Sequence, residues 1–134
     1  MAPYTQLEPA RTVSIFQRQP DCKTVAAGEI IFKAGDPGDC MYGLIEGEVE
    51  ELVDDQVLET IKAGDVFGVG ALVHPDGTRV STARAKTDCT LAFLDQERFL
   101  FAIQETPMFA LNVIRSYSDR LKKFKKHPLD KTTG

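Results

Sequence analysis

From Lys23 to Asp95 the sequence is a succession of short apolar runs, each closed by a turn built on glycine or aspartate. That rhythm leaves no room for a long helix over this stretch and demands tight reversals of the chain. Glu29–Lys33, Met41–Glu46, Glu48–Val53 and Val57–Ile61 are strand-length and rich in β-branched or aromatic residues. Between them lie A-A-G-E, A-G-D-P-G-D, E-G-E, D-D and K-A-G-D, whose residues tolerate or prefer turn geometry. Two further strands are predicted at Arg79–Lys86 and Thr90–Leu94. Many short strands joined by tight turns predict a sandwich or jelly roll rather than a parallel sheet.

Helices are predicted on either side. One covers about Ala10–Gln19 and ends before Pro20-Asp21. After Asp95, the apolar face of Phe99, Leu100 and Ile103 predicts a short helix, stopped at Thr106-Pro107. From there Pro107, Ala110, Ile114, Tyr117, Leu121 and Phe124 recur at gaps of three and four, which predicts a helix over 107–126 with an apolar seam. That seam suits a dimer interface or the face lying on the β-structure. Lys122, Lys123, Lys125, Lys126 and His127 form a basic end that complements the helix dipole.

A chain of 134 residues suits one domain, 1–134, with 1–9 and 127–134 as flexible ends. Its net charge of −4 weighs against general affinity for DNA or anionic membranes. No apolar run is long enough to span a bilayer, and the first residues lack a signal-peptide core. Cys22, Cys40 and Cys89 are odd in number and widely spaced, which argues against a disulfide framework and suits the cytoplasm; their individual roles stay open. His74 and His127 are scattered, with no nucleophile–base pattern and no set of metal ligands, so neither an enzyme nor a metal centre is expected. His74 reads as an exposed loop histidine in preference to a haem ligand.

One stretch suits a ligand: G-D-V-F-G-V-G-A-L-V-H-P-D-G-T-R-V-S at 64–81. A helix start offers unpaired N–H groups, and an arginine adds a planar, permanent charge, so the pair suits a phosphate.

With A-A-G-E-I-I-F-K-A-G-D-P-G-D-C-M-Y at 26–42, E-G-E-V-E at 46–50, A-G-D-V-F-G-V-G-A-L at 63–72 and R-V-S-T-A-R-A-K-T-D-C-T-L-A-F-L at 79–94, the chain resembles a cyclic nucleotide-binding domain of the catabolite activator protein type. The resemblance implies an eight-stranded antiparallel β-roll (a jelly roll) with a short N-terminal helix and two C-terminal helices. It implies a ligand site at Phe67, Gly68, Val69, Gly70, Ala71, Leu72, Arg79, Val80 and Ser81, where the turn faces a cyclic phosphate and Arg79 pairs with its charge. The chain departs from that pattern in three places. Val69 stands where the family has a ribose-binding glutamate, and Val80 where a serine or threonine adds a phosphate contact. Phe124 and Lys125 stand where catabolite activator protein has a base-reaching Thr-Ser pair. A lost hydrogen bond to a charged acceptor costs about 1.5–3 kcal/mol, so tight binding of cAMP or cGMP by the usual contacts is not expected, and no cofactor is assigned.

Two readings stand for Val69: it re-shapes the pocket for a less polar ligand, or it packs a defunct pocket shut. The function expected is a stand-alone sensor module that binds a small anion and signals through its last helix to a protein partner, as a homodimer through 107–126. The chain ends soon after that helix, so no helix-turn-helix domain and no direct DNA binding are expected. The alternative is a degenerate domain that binds no nucleotide and serves as a protein-interaction scaffold.

Overall fold

In the computed structural model, residues 8–133 are described, with side chains through Phe124. Helix α1 (Pro9–Phe16) is followed by β1 (Lys23–Val25), β2 (Ile30–Phe32), β3 (Cys40–Glu46), β4 (Glu48–Val53), β5 (Gln56–Lys62) and β6 (Val66–Phe67). Then come a one-turn helix α2 (Gly70–Val73), β7 (Thr82–Ala85), β8 (Cys89–Asp95), α3 (Gln96–Glu105) and α4 (Met108–Thr133). Two four-stranded sheets form, in the orders β1-β8-β3-β6 and β2-β7-β4-β5. Every pairing is antiparallel. The chain is therefore mainly β, a jelly roll with flanking helices.

Because side chains alternate across a strand, the first sheet serves two cores at once. Tyr42 and Leu44 of β3, Leu91 of β8 and Phe67 of β6 point between the sheets, with Phe32, Val49, Ile61 and Ala83 from the second sheet. Met41, Val66, Ala92 and Leu94 point the other way, against Val13 of α1, Phe99 and Ala102 of α3, and Phe109 and Val113 of α4. A residue's position along the strand thus decides whether it faces the roll interior or the helices.

Two boundaries differ from the sequence reading in ways that bear on the site. Helix α1 ends at Phe16 and the chain is extended at Gln17. This carries Arg18 to Asp95 and Glu97, at 3.0 and 2.9 Å. Strand β7 begins at Thr82 instead of Arg79, because opposite Arg79 lies the Pro37-containing turn, and proline has no N–H for a continuous ladder. Strands β1 and β6 carry no sequence expectation of their own; three and two residues are too short to show a period.

The long helix departs further. Its face against the body is Phe109, Val113, Tyr117 and Arg120, whereas Ile114, Leu121 and Phe124 of the predicted seam are exposed, as is Leu111. Helix α4 continues through Thr133. The expectations for residues 1–7 and Gly134 lie outside the described residues, as do those for the side chains of Lys125, Lys126 and His127. Among the described residues no helix is long and apolar enough to cross a membrane.

Candidate functional site

Arg79 stands where the open end of the roll meets the α2 turn. Its backbone is fixed by exchange with the glycine turn after β2: the Gly35 N–H donates to the Arg79 carbonyl at 2.7 Å, and the Arg79 N–H to Asp36 at 2.8 Å. Its guanidinium lies 4.1 Å from the centre of the Phe32 ring, above the stacked rings of Tyr42 and Phe67. Nη1 donates to the Gly68 carbonyl at 2.9 Å and Nη2 to the Cys40 carbonyl at 2.8 Å.

Glycine makes this seat possible at two points. A Cβ on Gly38 would lie 2.3 Å from Arg79 Nε, so only glycine lets the loop close over the guanidinium. Gly68 has φ +78°, and a Cβ there would lie 2.9 Å from Nη1. The residues that look like plain turn glycines in the sequence therefore shape the arginine's berth.

Arg79 is only 6% exposed, its Nε donates to nothing, and no carboxylate among the described residues pairs with it. A buried cation without a counter-ion is costly, and its two carbonyl bonds spread the charge without neutralising it. The other buried arginine is treated differently. Arg120 of α4 donates to Glu59 at 3.0 and 3.2 Å and to the Val66 carbonyl at 2.7 Å, with Glu51 and Asp65 at 3.5 and 3.7 Å. Arg79 thus has no direct counter-ion among the described residues, while Glu51 and Glu59, which line the same cavity, face Arg120.

Beside it lies a cavity of about 310 Å³, within the size range of small-ligand sites. Arg79, Ser81 and Glu51 supply polar wall, Phe32 and Tyr117 aromatic wall, and Val53, Leu58, Val80 and Phe124 apolar surface. A larger groove of about 440 Å³, between Pro9, the turn at Lys62–Asp65 and α4, is lined by charges of both signs; no buried unpaired side-chain atom lies there.

The sequence-predicted residues divide into three groups. Gly68, Gly70, Ala71, Arg79, Val80 and Ser81 line the cavity, with Val80 exposed. Phe67 lies beneath, wholly buried in the interior stack. The side chains of Val69 and Leu72 belong to the core cluster shared with α3 and α4, which includes Met41, Phe99 and Phe109, and do not line the cavity. Val69 therefore neither widens nor plugs the pocket by its side chain.

Its backbone is engaged instead. The Val69 N–H donates to the Tyr117 hydroxyl on α4 at 3.3 Å. The N–H groups of Gly70 and Ala71 have no acceptor among the described residues. Gln96 of α3 holds the turn from behind by donating to the Leu72 carbonyl at 2.8 Å. Burial raises the Tyr117 phenol above its ordinary pKa, so it stays neutral near pH 7.

Glu51, Glu59 and Arg120 carried no sequence signal. In E-V-E-E-L-V alternation puts the adjacent Glu50 and Glu51 on opposite faces, and nothing local marks which carboxylate lines a site. Burial of Glu51 raises its pKa above the ordinary carboxylate value, with Glu59 acting in the same direction and Ser81 and Arg120 against it. The cysteines are unpaired: Cys89 is buried, and Cys22 and Cys40 are half-buried.

With this geometry established, similarity to known proteins becomes informative. The cyclic nucleotide-binding domain family matches residues 22–106. A cAMP-dependent protein kinase regulatory subunit of Emericella nidulans is 41% identical over 75 residues, covering 54% of this chain and 18% of its own. The Thermus thermophilus catabolite activator protein superposes with a TM-score of 0.72 at 25% identity, over 99% of this chain and 61% of that one. The regulatory domain of Toxoplasma gondii PKA, solved with cAMP, gives 0.55 at 28% identity, over 61% of this chain and 33% of that one. The chain spans between 17% and 23% of the length of the first curated relatives it matches.

Proposed function

This chain belongs to the cyclic nucleotide-binding domain family, and we propose that it is a regulatory, non-catalytic module taking a small phosphate-bearing ligand of the cyclic nucleotide class at Arg79 and the Gly68–Leu72 turn. One observation carries the reading: a guanidinium 6% exposed, beside a cavity of ligand size, with no counter-ion among the described residues. An anion there supplies the missing charge.

Signalling follows from where α4 is fastened. Tyr117 holds the Val69 amide of the same turn, and Arg120 ties α4 to β5 and β6. A phosphate accepting from the Val69 N–H competes with the Tyr117 hydroxyl and loosens α4, shifting the helix between two positions. Leu111, Ile114 and Leu121, exposed on α4, are the surface such a shift would re-present to a partner or to a second copy through 107–126. Three unpaired cysteines favour a cytoplasmic setting.

Calorimetric titration of wild type and Arg79→Ala with cAMP, cGMP and cyclic dinucleotides tests this. Binding by wild type and its loss in the variant are expected; equal heat in both, or none, overturns it. The scaffold reading draws on the two carbonyl bonds that hold the Arg79 guanidinium. It expects no rise in melting temperature with any of these nucleotides, whereas a ligand bound only by the native state must raise it.

A further inference from the structure

The turn 68–72 holds no acidic residue, and its Val69 belongs to the helix-facing core, so the turn offers a ligand no carboxylate of its own. The cavity nevertheless has an acceptor, brought from another strand. Glu51, on β4, lines the same cavity as Arg79, and its side chain is 12% exposed. Its Oε1 accepts from Ser81 Oγ at 2.6 Å. Its Oε2 lies 3.5 Å from Arg120 Nη2, an ion-pair separation at which no hydrogen bond forms.

Glu51 is surplus to the ion pair. Both fork positions of Arg120 facing Glu59 are taken, at 3.0 and 3.2 Å, and Asp65 approaches from the other side at 3.7 Å. Three carboxylates around one guanidinium leave the group negative, which burial disfavours unless a donor arrives. A carboxylate has about four acceptor sites, so Ser81 leaves capacity on Glu51 for another donor.

Position adds the second half. Arg79 and Ser81 are buried and Val80 between them is 73% exposed, and all three line the cavity. Arg79, Ser81 and Glu51 line one cavity of about 310 Å³, so the Ser81–Glu51 pair faces the space beside the anion seat.

We propose that Glu51, held by Ser81, is the specificity-determining acceptor of this site, reading a hydrogen-bond donor on a nucleotide whose phosphate sits at Arg79: a sugar hydroxyl or a purine amine. Glu59 is the clamp for Arg120, and Glu51 the reader. This rests on the function proposed above and names the chemistry it selects.

The test is calorimetry on the full chain with cAMP, cGMP, their 2′-deoxy forms, and purine riboside 3′,5′-cyclic monophosphate, which carries neither amine. Wild type is expected to bind one parent about tenfold tighter than one donor-deleted analogue, since a hydrogen bond to a charged group is worth that much or more. The analogue that loses identifies the sugar or the base as the source. Glu51→Leu is expected to bind parent and analogue alike. Ser81→Ala, which removes only the hydroxyl steadying Glu51, is expected to shrink the ratio to about threefold, and it serves if Glu51→Leu fails to fold. Equal wild-type affinity for parents and analogues, or a ratio unchanged in both variants, overturns the role of Glu51 while leaving the anion site standing. No heat with any nucleotide overturns both.

Discussion

The hydroxyl of Tyr117, on the long C-terminal helix, accepts a hydrogen bond at 3.3 Å from the backbone N–H of Val69, in the turn that faces Arg79. This is a long bond for an N–H donor, and so a weak one. It joins the sensing turn to the mobile element of the proposed mechanism with one replaceable contact. Tyr117→Phe keeps the ring and its packing and frees the amide. Affinity for cAMP or cGMP is expected to rise about threefold, with a loss of about 0.5–1 kcal/mol in stability. Calorimetry and urea denaturation of the same preparation read both, and hydrogen exchange along α4 is expected to quicken.

Gly38 controls the seat of Arg79. The Cβ of Gly38→Ala would meet Nε at 2.3 Å and Ala71 Cβ at 2.9 Å, and the guanidinium is pinned by two carbonyls and the Phe32 ring. The variant is expected to lose about 1–3 kcal/mol in urea denaturation, the usual cost of overpacking, and to lose nucleotide heat. Wild-type stability together with undiminished heat would show that the arginine moves freely.

Arg120 balances carboxylates that burial disfavours. Arg120→Met leaves Glu51, Glu59 and Asp65 facing one another, at an expected cost of about 3–5 kcal/mol near neutral pH. The pKa of Glu51 is raised in the fold, first by burial, so between its ordinary and raised values the native state binds more protons than the unfolded state. Its contribution is therefore full below the ordinary carboxylate pKa and is lost as pH rises through the raised value. Removing the cation deepens that loss. The deficit of Arg120→Met against wild type is expected to shrink from about pH 7.5 to about pH 5 in urea denaturation.

Asp95 shows the opposite sign. Its Oδ1 caps α3 by accepting from the Arg98 N–H at 2.8 Å, and that bond, with Arg18 beside it, holds the carboxyl below its ordinary pKa. Such a group stabilises above the ordinary aspartate value, and the effect is lost as pH falls through the lowered one. Asp95→Ala is expected to cost about 1 kcal/mol near pH 7 in urea denaturation, a deficit that shrinks as pH falls below the ordinary aspartate value.

The strands over Ile30–Phe32, Cys40–Glu46, Glu48–Val53, Gln56–Lys62 and Cys89–Asp95 were legible because turn residues punctuate them and β-branched residues fill them. Arg79 was legible as a charge in a telling place. Its carbonyl partners were not, since Cys40 lies 39 residues away and a carbonyl is common to every residue type. The helical period of α4 was legible, and Tyr117 of its seam does face the body; Arg120 on that face was not legible, because an arginine drawn in by carboxylates carries no apolar signature.

The order of glycines, aspartates and short apolar runs was by itself enough to determine a roll of antiparallel strands with helices at both ends, because turn chemistry and side-chain alternation act over neighbouring residues. Only the tertiary structure decided that Val69 faces the helices, that Glu51 faces the cavity, and that of two buried arginines one has its counter-ions and the other has none among the described residues. Those outcomes depend on which strand lies beside which. That is set by the closure of two sheets over a shared core, and no local spacing encodes it.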